Sequence, residues 1–109
     1  MAARKTASRH DNVIFRFLLD NEDEVRLQGT ALIRPGEMVL DISADAGGDG
    51  PYLIVGRECK HWYQGENSAL DRDHPMQAKW ALIGDSYVGI WVEHGDEWLF
   101  SFQLGKPTA

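Results

Sequence analysis

The sequence predicts an all-β domain, a small up-and-down antiparallel meander of about eight strands closing into a barrel, with a two-sheet β-sandwich as the alternative. Three observations carry this. Apolar and polar residues alternate at the two-residue period of a strand, and no segment shows an apolar stripe at helical spacing. Turn residues recur at short intervals, linking successive strands as hairpins. The last third of the chain reads as MQAKWALI, Gly84-Asp85, SYVGIWVEH, Gly95-Asp96 and EWLFSFQL, which is three strands joined by two Gly-Asp turns.

Taken in order, the first strand runs from Asn12 and puts Val13, Phe15, Phe17 and Leu19 on one face. Asn21-Glu22-Asp23 turns the chain. The next stretch, EVRLQGTALIR, points Val25, Leu27, Gly29, Ala31 and Ile33 inward and Glu24, Arg26, Gln28 and Thr30 outward. Pro35-Gly36 is a turn, and MVLDISA returns with Met38, Leu40, Ile42 and Ala44 on the inner face. Pairing Ile33 with Met38 sets Ala31 against Leu40 and Gly29 against Ile42. The same register puts Arg34 opposite Glu37 and Arg26 opposite Asp45, and a one-residue slip would lose both matches. Because L-Pro-Gly prefers a type II turn, which twists a tight hairpin the wrong way, a loop longer than two residues is expected here.

Asp45 to Gly50 is a glycine-rich loop by composition. PYLIVGRE and KHWYQGE follow as strands, with a turn near Arg57 to Cys59. A bulge at Gly56 would fuse them and reduce the count to seven. Residues 66–75, ENSALDRDHP, form the longest polar connection before the aromatic meander.

In that meander, Gly at the first central position of each turn suits a type II′ hairpin and fixes the register. Leu82 then faces Tyr87, Trp80 faces Gly89 and Ala78 faces Trp91. Across the second turn Trp91 faces Phe100, Gly89 faces Phe102, Tyr87 faces Leu104 and Glu93 pairs with Trp98. One face thus collects Trp80, Leu82, Tyr87, Trp91, Trp98, Phe100, Phe102 and Leu104 and must be buried. Gly89 leaves room for rings from both neighbours. Eight strands enclose an interior just wide enough for side chains or one small ligand. Gly29, Gly56 and Gly89 are where tight curvature is expected.

A chain of 109 residues makes one domain, and 43% apolar with 26% charged residues is a globular composition. Residues 1–10 hold Arg4, Lys5 and Arg9 and no acid, and read as a disordered basic tail ahead of a single domain over residues 11–106. The net charge is −6, and the rest of the chain carries eight basic against 17 acidic groups. An acidic body repels a phosphate backbone, which argues against nucleic acid as a partner. No apolar run approaches the ~20 residues that cross a bilayer as a helix, so no membrane partner is expected. Cys59 is the only cysteine, so no internal disulfide forms and a reducing, cytoplasmic location is expected.

The aromatic cluster is the first candidate site. Trp62, Trp80, Tyr87, Trp91 and Trp98, with Glu93 beside a ring near the turn end of the sheet, compose a ligand-binding set for a flat apolar or aromatic molecule. Their alternative role is to fill the core, as aromatics in a small domain do. Cys59 and His61 lie two apart on one strand face, while His74 and His94 fall in loops. No CxxC, HxxxH or paired-His spacing accompanies them, so neither metal nor cofactor is expected. Asp41, Asp45 and Asp49 near Gly47-Gly48 do not match the EF-hand spacing. Asp71, Arg72, Asp73 and His74 form the densest chemical group, yet no nucleophile elbow or glycine-rich phosphate loop goes with it, which argues against an enzyme. Val88, Ile90 and Val92 face away from the aromatic side and offer a surface for a homodimer.

The string Gly89-Ile90-Trp91 is similar to the GxW signature of lipocalin-type barrels. In that family it lies near the first strand, whereas here it sits on the penultimate one. The resemblance covers three residues and implies neither that family's fold nor a ligand.

Two functions follow as expectations: a non-catalytic barrel binding a small apolar or aromatic ligand in its Trp-rich interior, or a structural module acting as a homodimer.

Overall fold

A computed structural model describes residues 7–18, 23–42, 52–67, 76–93 and 95–107. Eight antiparallel strands follow one another around a closed barrel: β1 (Ser8–Leu18), β2 (Glu24–Arg34), β3 (Glu37–Ile42), β4 (Tyr52–Cys59), β5 (Trp62–Asn67), β6 (Met76–Ile83), β7 (Ser86–Glu93) and β8 (Asp96–Phe102). Closure rests on β1 pairing with β8 through Arg16–Ser101, Phe17–Phe100 and Leu18–Leu99. Every strand edge in a closed barrel has a neighbour, so the sandwich alternative falls away.

The strands form where the alternation is cleanest. In β1 the inner residues Val13, Phe15 and Phe17 are buried, as are Met38, Leu40 and Ile42 in β3. The β2–β3 hairpin has the expected register, with Arg34 opposite Glu37, Ile33 opposite Met38 and Gly29 opposite Ile42. Its loop is only Pro35-Gly36, shorter than the turn chemistry suggests. Gly36 takes φ +75°, the left-handed value that a type II turn requires at that place. Asp45, and with it the pairing to Arg26, lies outside the described residues, as do Asp49 and the Asp71–His74 group.

Three expectations need correction. First, β1 begins at Ser8, inside the segment assigned to a tail. A bulge between His10 and Val13, with Asn12 at φ +60°, inserts one residue and flips the facing, so that His10 and Val13 both point inward. That phase break hides the first turn of the strand from a search for strict alternation. Second, the β4–β5 turn is Lys60-His61, with Cys59 paired to Trp62. His61 is therefore a turn residue and does not share a strand face with Cys59. Third, the β7–β8 turn precedes Asp96 rather than including it at its centre, since Glu93 pairs with Asp96. Gly95, at φ +84°, occupies the second central position. Trp91 then faces Trp98, Gly89 faces Phe100 and Tyr87 faces Phe102. This is a slip of two residues, so every side chain keeps its face. The β6–β7 register, by contrast, is as expected, with Ala78 on Trp91, Trp80 on Gly89 and Leu82 on Tyr87.

The middle of the barrel is filled with rings. Trp80 packs against Phe100 and Phe102 at centroid separations of 6.2 and 6.5 Å, and Phe15 lies 4.9 Å from Phe102. Trp80 donates its indole N–H to Met38 Sδ at 3.3 Å, a weak acceptor but a suitable one in an apolar interior. Space for this indole comes from β4: a Cβ built on Gly56 would stand 2.5 Å from Trp80 Cη2. Gly89 meets a different constraint, because its neighbour's backbone, at Lys79 O, occupies the place of a side chain.

Gly56→Ala is therefore expected to push Trp80 out of its rotamer and destabilise the barrel by about 1–3 kcal/mol. Urea denaturation followed by tryptophan emission measures this, and an unchanged midpoint would mean that the ring shifts freely.

Candidate functional site

The up-and-down path divides the barrel ends. At one, tight turns join β2 to β3, β4 to β5 and β6 to β7; at the other, β7 ends at Glu93 and β4 begins at Tyr52. Glu93 is only 4% exposed, and its carboxylate faces the interior. Two neutral donors hold it. Trp91, two residues earlier and hence on the same face, donates its indole N–H to Oε1 at 2.9 Å. Tyr52 donates its hydroxyl to Oε2 at 3.1 Å, with a longer 3.5 Å approach to Oε1. No Lys, Arg or His among the described residues lies within ion-pair distance of this carboxylate.

Aromatic rings surround the group. Trp91 stands nearly perpendicular both to Phe17, at 4.9 Å and 89°, and to Tyr52, at 5.2 Å and 88°. Burying a carboxylate among rings, with no countercharge among the described residues, opposes folding, and its two described hydrogen bonds offset part of that cost.

The opposite end has a different chemistry. Tyr63 stacks on Trp80 at 5.9 Å and Tyr87 on Phe102 at 5.1 Å, both half-buried. Burial, and after it the negative charge of Glu58, pushes both phenols above their ordinary value of 10; Tyr87 adds a smaller effect on Tyr63. Toward the same end, where Ser8 pairs with Ile33, the inward His10 shares a 3.2 Å hydrogen bond between Nε2 and Ser8 Oγ, while its buried Nδ1 has no partner among the described residues.

The six residues singled out from the sequence thus separate. Trp91 and Glu93 meet at one end, Trp98 lies partly buried across from Trp91, Trp80 is mid-barrel, and Tyr87 belongs to the other end. Trp62 is on the outer surface, where its indole N–H reaches Gln64 at 3.4 Å and Lys79 Nζ sits 5.9 Å from the ring centroid. The one-residue offset between Trp62 and the inward Tyr63 explains the misplacement. Sequence reasoning missed Tyr52. Its pairing with Ile42 spans a nine-residue connection, and only the continuous alternation of Tyr52, Ile54 and Gly56 signals its facing.

Compared with known proteins, the chain matches no family model and no curated protein.

The two raised phenols have a consequence for stability. The unfolded chain loses these protons near pH 10, whereas the folded barrel keeps them to higher pH. The stability they contribute is present below pH 10 and is lost as pH rises through the folded values. Thermal denaturation should show a decline in midpoint above pH 10 that is shallower in the Tyr63→Phe, Tyr87→Phe double variant. Absorbance titration of the native protein should show late phenolate formation.

Proposed function

We propose that this barrel is a non-catalytic binding protein for a small apolar or aromatic molecule that presents a hydrogen-bond donor to Glu93. The observation that carries the reading is the Glu93 carboxylate, buried among Phe17, Tyr52 and Trp91 with a phenol and an indole as its only described partners. A packing role alone is served as well by an uncharged residue, since exchanging buried charged groups for apolar ones is often neutral or stabilising. The rings at mid-barrel are close-packed, so the ligand sits at the Glu93 end rather than between Trp80 and Phe100. A single cysteine, which can form no internal disulfide, fits a reducing compartment such as the cytoplasm.

Glu93→Gln keeps one acceptor oxygen, which can serve Trp91, presents its NH2 to the Tyr52 hydroxyl oxygen, which can accept, and removes the charge. The variant is expected to melt at or above the wild-type temperature. Compounds that stabilise the wild type in a thermal-shift screen should bind it at least about tenfold more weakly. A variant that melts far lower, with no stabilising compound for the wild type, would make Glu93 a structural residue.

A second reading, a homodimer, rests on a separate observation. Leu18, Leu99 and Ile90 sit side by side across β1, β8 and β7, facing outward at 48%, 52% and 44% exposure. Val88 extends the strip, and Val92 beside it is half-buried. A shallow depression of about 380 Å³ lined by Leu18, Val88, Leu99, Arg16 and Glu24 lies on the same face. Apolar strips of this kind are covered in assemblies, and a second copy here would cover the β1–β8 closure. Light scattering should then give twice the 12.3 kDa chain mass, with Ile90→Lys returning a folded monomer. A monomeric wild type at high concentration rejects the dimer.

A further inference from the structure

We infer that a second copy of the chain docks on the β1–β8–β7 strip with its twofold axis running across the strands, so that Arg16 of each copy meets Glu97 of the other. This rests on the homodimer reading above and adds the arrangement of the two copies.

Strand pairing lays out the outer surface of β1, β8 and β7 as a grid. Leu18, Leu99 and Ile90 form its middle row. Two residues along the strands, Arg16, Ser101 and Val88 form a second row. Two residues the other way, Glu97 on β8 pairs with Val92 on β7. All of these share the outward phase of the middle row. Each flanking row lies about 7 Å from the centre, which is two residues at the rise of a strand. The strip is therefore apolar along its middle, with a base at one edge and an acid at the other.

A self-complementary contact turns about an axis lying in the contact plane, and the grid allows two such axes. With the axis along the strands, Glu97 meets Glu97 and Arg16 is pressed onto Val88. Like charges brought together across a contact are costly, and so is a charge desolvated on an apolar side chain. With the axis across the strands, along the middle row, each of Leu18, Leu99 and Ile90 meets its own equivalent. Glu97 of one copy then lies over Ser101 of the other, one strand spacing, about 4.8 Å, from Arg16. The symmetry makes this pair twice.

The receiving surface suits a carboxylate. The small, half-buried Ser101 lies in the shallow depression of about 380 Å³, with Arg16, Val88 and Leu99 around it. Its hydroxyl can donate, and the guanidinium beside it offers five N–H donors. Within its own chain Arg16 reaches Glu24 at 3.8 Å, while Arg26 holds the same carboxylate at 3.0 Å. The Arg16 side chain is 59% exposed, so it can take a second acid.

Sedimentation of the full chain at neutral pH reads the dimer dissociation constant. Arg16→Glu and Glu97→Arg are each expected to weaken the dimer at least about tenfold, because each sets like charges together twice. Mixed in equal amounts, the two variants should associate about as tightly as the wild type, since the mixed dimer has two opposite-charge pairs. Added salt should weaken the wild-type dimer by screening the pairs. If either reversed variant loses the near-ultraviolet circular dichroism of the barrel, Arg16→Gln and Glu97→Gln replace the two. Each is then expected to weaken the dimer about threefold and to reduce its salt dependence. A wild-type dimer that no variant weakens, or reversed variants that fold yet fail to recover on mixing, would overturn this arrangement and leave the dimer reading intact. A mass beyond two chains would mean a head-to-tail contact and would overturn it as well. A monomeric wild type would remove both.

Discussion

The architecture depends on a short seam. Three residue pairs between β1 and β8, Arg16–Ser101, Phe17–Phe100 and Leu18–Leu99, convert an open meander into a barrel. Without that ladder both edge strands would present unpaired backbone groups, and the aromatic face of β6 to β8 would have nothing opposite it. Closure brings Phe17 from near the start of the chain to within ring contact of Trp91 and Phe100 near its end. Everything inside, including the carboxylate of Glu93, takes its surroundings from that meeting of distant segments.

Much of this was legible in the residues, for physical reasons that differ from element to element. The β6–β7 register follows from Gly84 at the first central turn position, where φ +69° comes at little steric cost. The β2–β3 register follows from two independent matches, apolar inside and Arg34 with Glu37 outside. Where only one kind of constraint operates, the prediction drifts. At β7–β8 a glycine serves either central position of a two-residue turn, so His94-Gly95 and Gly95-Asp96 compete. The alternation of side chains is satisfied by both, since they differ by two residues. The bulge at Asn12 shows the converse: a single inserted residue breaks the period, and Ser8 to His10 drop out of view although they continue the strand.

The candidate site was less legible than the fold. Glu93 was visible because a charge interrupts an apolar alternation on the inner face. Its partner Tyr52 was not, because it lies 41 residues away and nothing local marks it. Trp62 illustrates a limit of composition: a tryptophan next to an inward tyrosine must point outward, however well it would suit a pocket. The aromatic content is divided between two heights of one barrel. The rings around Trp80 interlock at mid-height, whereas Trp91 and Tyr52 direct polar hydrogens at a carboxylate.

The unequal lengths of the connections at the two ends separate two kinds of information in the chain. Tight bends after β2, β4 and β6 act like stitches, holding adjacent strands in step whatever happens elsewhere. The longer connections after β1, β3 and β5 carry no such duty, because strand alignment is already set from the other side. Changes of length or composition there cost little in chain entropy. These stretches can therefore diverge in length between descendants of this barrel while its framework is inherited unaltered.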